Sequence, residues 1–180
     1  AVTAANVYPP VPDFIEPDDL LRFERLRDRT LGVCFKLLFI EVPEPRQRQT
    51  VLNWLQPQFA ERGIAEYDID LVKLLGPKSE WPADSANFWI ELTRTVPPGS
   101  VSDHRAAFVV WGFEELMDHT GKETWDIVRH FNIQRDLYVR DYPCWWIFLT
   151  HPASRQHWLK NAPDISDFVA LWIEAPLPTV

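Results

Sequence analysis

The residues best placed to do chemistry lie between a hydrophobic run, residues 37–42, and a helical pattern that begins near Thr50. Strand, short loop and helix in that order is the layout of a phosphate-binding loop. There, glycines let backbone N–H groups close around a phosphate, and a Gly-Lys-Ser/Thr ending supplies a cation and a Mg²⁺-binding hydroxyl. Here the loop reads Pro43-Glu44-Pro45-Arg46-Gln47-Arg48-Gln49-Thr50. It has no glycine, Gln49 stands where the lysine would be, and Glu44 opposes an anion. Arg46 and Arg48 could still grip an anionic group. Thr50 holds the hydroxyl position, although a lone threonine at a helix start is more often a cap. The layout is present and the chemistry is missing.

Other candidates follow at the ends of later hydrophobic runs, where open α/β sheets bind ligands. One run ends Val109-Val110-Trp111-Gly112-Phe113-Glu114-Glu115. A nucleotide hydrolase would put an Asp here to hold Mg²⁺ through water; Trp111 and Gly112 take that stretch. Glu114 and Glu115 open a helix and read as complements to its dipole. A further run ends Thr150-His151-Pro152, either a phosphate-sensing position or a plain turn with Thr150 capping and Pro152 first in the helix. Cys144 begins an apolar strand beside Trp145 and Trp146, the setting of an inert thiol. Ser154 lacks the glycines of a nucleophile elbow. His151 and His157 are six apart, off a shared helical face, and have no third metal ligand nearby. No catalytic residue and no metal site is expected.

The elements that must position these residues alternate along the chain. Residues 1–13 carry Pro9, Pro10 and Pro12 and read as an extended arm; 14–180 reads as one domain. Pro17, Asp18 and Asp19 open a first helix that carries Leu20, Phe23 and Leu26 and stops at Gly32. The run 34–42 is a strand buried on both faces. A helix over 47–62 carries Val51, Leu55 and Phe59 and stops at Gly63, with Pro57 expected to kink it or break its hydrogen bonding. Residues 66–75 read as strand two and 76–84 as a turn-rich connection. A short helix over 85–96, a loop at 97–100 and strand three over 106–113 follow. Then come a long helix over 122–140 with Trp125, Val128 and Phe131, strand four over 144–150, a helical segment at 154–159, a short turn or helix at 162–168, and strand five over 170–174. Such alternation specifies a three-layer α/β/α fold with a mostly parallel five-stranded sheet.

Composition narrows the partners. A net charge of −8 argues against nucleic acid, whose binding rests on clustered Lys and Arg. Arg22, Arg25, Arg27 and Arg29 interleave with Asp18, Asp19, Glu24 and Asp28, the pattern of a solvated helix rather than a basic patch. Nine Trp and eleven Phe can fill a wide core or supply an interaction face. Two cysteines, Cys34 and Cys144, form no disulfide framework, which fits a reducing cytoplasm. No signal peptide opens the chain and no apolar run approaches the ~18 residues of a membrane span. The start at Ala1 suggests a part of a larger protein.

The last third carries Phe131-Asn132-Ile133-Gln134-Arg135-Asp136, then the apolar strand 144–150, then Ala162-Pro163-Asp164 ahead of the final strand. This resembles the inactive STAND domains of prokaryotic conflict and signalling proteins, with their "lNlxRD" helix, "hhhWL" strand and "APDfw" segment. Trp111-Gly112-Phe113-Glu114-Glu115-Leu116 also falls in family order, so the match spans about 17–175. Ile165 and Ser166 replace the aromatic pair usual after Ala-Pro-Asp. The resemblance implies a P-loop-NTPase-like sheet that has lost its nucleotide motifs and acts beside a partner or effector domain. Taken by themselves, Asn132 can bond a neighbouring loop, Arg135 and Asp136 can lock their helix to the sheet ends, and Asp164 can cap the turn it opens.

The expectation is therefore a non-catalytic signalling or adaptor domain that binds other proteins and no cofactor, with homo-oligomers possible. The alternative is a divergent nucleotide-binding or hydrolysing enzyme using Arg46, Arg48, Thr50 and Glu114.

Overall fold

A computed structural model describes residues 9–29, 35–76, 88–101, 105–117 and 126–177. Gly32, Cys34, Trp125, the 77–84 part of the expected connection and the first residues of the two helices expected from 85 and 122 lie outside them.

The five strands are β1 (Lys36–Glu41), β2 (Ala65–Asp70), β3 (Ala106–Trp111), β4 (Trp145–Thr150) and β5 (Val169–Ile173). They form one sheet in the order β2-β3-β4-β1-β5, and every pairing is parallel. Alternate residues of a strand face opposite sides, so each central strand feeds two cores. Leu37 and Phe39 of β1, Phe108 and Val110 of β3, and Trp146 and Phe148 of β4 belong to one core. Leu38 and Ile40, Ala107 and Val109, and Trp145, Ile147 and Leu149 belong to the other.

The order explains which helices cover which core. The step from β1 to β2 runs one way along the sheet, and all later steps run the other way. Right-handed crossovers then place α2 (Arg48–Glu61) on one face and the later helices on the opposite one. Phe23 of α1 (Pro17–Arg29) and Val51, Leu55 and Phe59 of α2 fill the first face. Residues of α4 (Phe88–Thr95), α6 (Ile127–Asp141), α7 (Arg155–Asn161) and α8 (Pro163–Ser166) fill the second. Aromatic rings dominate this second core: Phe39 stacks on Trp172 at 4.2 Å and meets Trp158 edge-on at 4.9 Å, and Phe113 meets Phe148 at 4.8 Å. Each of the buried phenylalanines among them, Phe39, Phe113 and Phe148, stabilises the fold by about 1.5–3 kcal/mol.

Several boundaries differ from expectation. Residues 71–75 are not strand: Asp70 accepts from the Val72 and Lys73 N–H groups at 3.1 and 3.5 Å and starts α3 (Leu71–Leu75). Strand three stops at Trp111, because Gly112 takes φ +95° and turns the chain into the single turn α5 (Phe113–Leu116). Residues 98–101 form a 3₁₀ turn. Pro57 lies inside α2 without ending it; one turn follows before Gly63, at φ +67°, closes the helix.

Candidate functional site

The order reversal makes the carboxyl ends of β1 and β4 a topological switch point, where neighbouring helices depart to opposite faces and leave a crevice. A cavity of about 260 Å³ lies there. Val42, Pro45 and Arg48 line it from the end of β1, Thr150 and His151 from the end of β4, and Glu114 and Glu115 from the turn after β3. Although β4 lies between β3 and β1, Arg48 from the β1 side reaches Glu114 and Glu115 from the β3 side, so the opposite charges meet at the cavity.

On the β1 side, a 3₁₀ turn at Pro45–Gln47 runs directly into α2. Its hydrogen bonds take up most of the backbone donors of this loop. Pro43 and Pro45 have no N–H. The Glu44 N–H goes to Gln47 Oε1 at 3.0 Å, the Gln47 N–H to the Glu44 carbonyl at 2.9 Å, and the Arg48 N–H to the Pro45 carbonyl. Of the four residues singled out in the sequence here, only Arg48 lines the cavity. Arg46 is exposed and pairs with Glu44. Gln49 is exposed and donates to Asn53 Oδ1 at 2.8 Å. Thr50 is exposed, third in α2, and does not cap it, because Gln47 is the N-cap residue.

On the β3 side, Glu114 does more than complement a helix dipole. Its Oε1 accepts the His151 N–H at 2.5 Å and the Ser154 hydroxyl at 3.5 Å, and its Oε2 lies 3.6 Å from Arg48 Nη2. Burial pushes the Glu114 carboxyl up, opposed by the His151 N–H and the Arg48 charge. Glu115, half-exposed, stands 3.9 Å from the same guanidinium nitrogen. At the end of β4, His151 rather than Thr150 is the cap: its Nδ1 accepts the Ala153 N–H at 3.0 Å, and Pro152 is first in the following turn. That bond leaves Nε2 to carry the proton of a neutral ring.

Below the crevice is a carboxylate that sequence reasoning did not single out. Glu41 ends β1 with no solvent exposure. It accepts Arg155 Nε at 2.6 Å, Arg155 Nη2, Trp172 Nε1 at 2.8 Å and the Ala175 N–H at 3.0 Å. Those donors come from α7, β5 and the segment after β5, so Glu41 ties three separate parts of the chain to the central strand. A charged residue inside an apolar run was the available signal. Asp126 is similar: buried, it caps α6 through the Val128 N–H at 2.7 Å and meets His157 Nε2 at 2.9 Å.

The resemblance residues lie away from the crevice, between α6 and α8. Asn132 Oδ1 accepts the Ile165 N–H at 2.9 Å, and its Nδ2 donates to Asp164 Oδ2 at 3.1 Å. Asp164 therefore does not cap α8; the Asn132 amide serves its first turn from outside. Arg135 donates to the Asn132 carbonyl at 2.8 Å and lies 3.6 Å from Asp164, rather than reaching a sheet end. Asp136 is exposed, with no partner among the described residues. Ala162 is fully buried and Pro163 begins α8. Cys144 is buried, and burial pushes its thiol up, away from reactivity. Among the described residues no cluster of three or more His, Cys, Asp or Glu could hold a metal ion. None of their helices is long and apolar enough to cross a membrane.

No protein-family model matches the chain, and no curated protein matches it. Two solved structures of the Aeropyrum pernix ORC2 protein, one of its ADPNP–ADP complexes and one of its ADP form, are similar to it with TM-scores of 0.54. Identity is 10% and 12%, and each match covers 95% of this chain and 50% of the other. The chain thus spans about half the length of those structures. At such identity the likeness, with the all-parallel sheet, shows the fold alone: a P-loop-NTPase-like α/β fold.

Proposed function

We propose that this chain is a non-catalytic P-loop-NTPase-like domain, a signalling or adaptor module of the inactive STAND kind that works through contacts with other protein domains in a prokaryotic conflict or signalling system. One observation carries the reading. From Pro43 to Arg48 two residues lack an N–H, and the N–H groups of Glu44, Gln47 and Arg48 are already donated within the segment. A phosphate would find no cradle there. The rest of the crevice supports the same reading. The Glu114 carboxylate takes the His151 N–H and faces Arg48, an anion built into the place where a phosphate would need donors. Trp111 and Gly112 replace the acid that would hold Mg²⁺.

Thermal denaturation with and without ATP–Mg²⁺ and GTP–Mg²⁺ tests this directly. A nucleotide at a hundred times its dissociation constant stabilises a fold by about 2.7 kcal/mol; no shift is expected with either. Mg²⁺-dependent hydrolysis of ATP that disappears when Gln49 and Thr50 are replaced would sink the proposal.

A further inference from the structure

The turn that leaves β4 is held by a bond that exists in only one protonation state. His151 is its N-cap residue, and the ring Nδ1 accepts the Ala153 N–H at 3.0 Å. Most caps are hydroxyls, amides or carboxylates, which go on accepting at neutral and mildly acidic pH. An imidazole accepts only while it is neutral, because both ring nitrogens of the protonated form are donors. Histidine is also the side chain that ordinarily changes charge between about pH 5 and 8. His151 is half-buried and lines the open crevice, so solvent protons reach the ring. The charges that line the crevice with it pull in both directions: Glu114 and Glu115 of α5 favour a cation there, and Arg48 of α2 opposes one.

The capped turn has a second end. It covers Pro152–Ser154 and runs straight into α7, whose first residue is Arg155. The His151 carbonyl holds the same turn through the Ser154 N–H at 2.9 Å and the Ser154 hydroxyl at 2.8 Å. Arg155 reaches from there to the buried Glu41, which also accepts Trp172 Nε1 at 2.8 Å. The cap, the turn, the guanidinium and the buried carboxylate therefore form one continuous path of bonds. We propose that His151 is a proton-sensitive cap: neutral, it fastens the turn that launches α7; protonated, it releases that turn and slackens the Arg155–Glu41 lock. In an adaptor, this places a proton-sensitive element at the mouth of the crevice. The inference does not depend on the adaptor reading: nucleotide hydrolysis would refute that reading and leave the cap to be tested by itself.

Nuclear magnetic resonance from about pH 8 to pH 5 tests it. The His151 ring, the Ala153 amide and the Trp172 indole N–H are followed in the wild type and in His151→Asn. Asparagine is a strong cap that does not titrate, so the variant keeps the bond at every pH. In the wild type, Ala153 protection against hydrogen exchange, corrected for the intrinsic pH dependence, should fall about fivefold as the ring takes its proton, the size of a typical cap. The Trp172 indole signal should move with the same midpoint as the ring. In His151→Asn neither should respond. Constant Ala153 protection while the ring titrates overturns the inference, and so does a Trp172 signal that ignores the titration. An undiminished response in His151→Asn overturns it as well. Should that variant fail to fold, the midpoints of the three wild-type signals decide alone.

Discussion

Glu41 and Arg155 show how much one charged pair can organise. The carboxylate is fully buried, and half of its four hydrogen bonds come from a guanidinium 114 residues away in sequence. Truncating the arginine leaves a buried charge with only the Trp172 and Ala175 donors. Breaking a fully buried pair costs about 3–5 kcal/mol; Arg155 is partly exposed, so Arg155→Ala should destabilise by about 2–3 kcal/mol in urea unfolding. A change under about 0.5 kcal/mol would show that the pair is not holding the strand ends together. The separation also explains why the sequence did not reveal the pair. Glu41 is a lone charge in an apolar run and Arg155 lies 114 residues further on; only the sheet order joins them. Glu114 was singled out as a dipole complement, but its contacts stayed hidden for a related reason. Its neighbour in space, the His151 N–H, is set by the pairing of β3 with β4, which local patterning cannot encode.

Elements were legible where burial was two-sided. The runs 37–40 and 145–149 read as parallel strands because apolar residues face both cores. The edge strand β2 was read from its alternation, but its end was misplaced: the strand expected over 66–75 stops at Asp70, which caps α3. That strand carries a titratable feature. Glu66 and Asp68 lie on one face, opposite Ala107 and Val109 of β3. Burial first, and then the Asp68 charge, raise the Glu66 carboxyl to about 8. With the folded value above the unfolded 4.5, the folded state binds the proton more tightly, so stability from this group is full below 4.5 and lost as pH rises through 8. Glu66→Gln cannot lose it. Unfolding free energies of wild type and Glu66→Gln, measured across that range, should diverge in favour of the variant as pH rises and level off above 8. A constant difference would refute the assignment.

At the scale of the molecule, the two cores share one sheet, and every central strand contributes to both. Neither core can melt without exposing the back of the other, so the described elements should unfold together. Tryptophan fluorescence and backbone circular dichroism should therefore report coincident transitions, and a separated first phase would mean that one helical layer comes away alone. The 3₁₀ turn at Pro45–Gln47 has a consequence of another kind, for the history open to such a chain. Changing Gln49 to lysine in one step would return a cation but no N–H. Changing either proline would return one N–H but leave Gln47 and Arg48 bonded within their turn. No single step along that path gains a phosphate, so selection has nothing to favour until several changes coincide. On the adaptor reading proposed above, the turn works as an evolutionary ratchet that holds the descendants of this chain to contacts with other proteins.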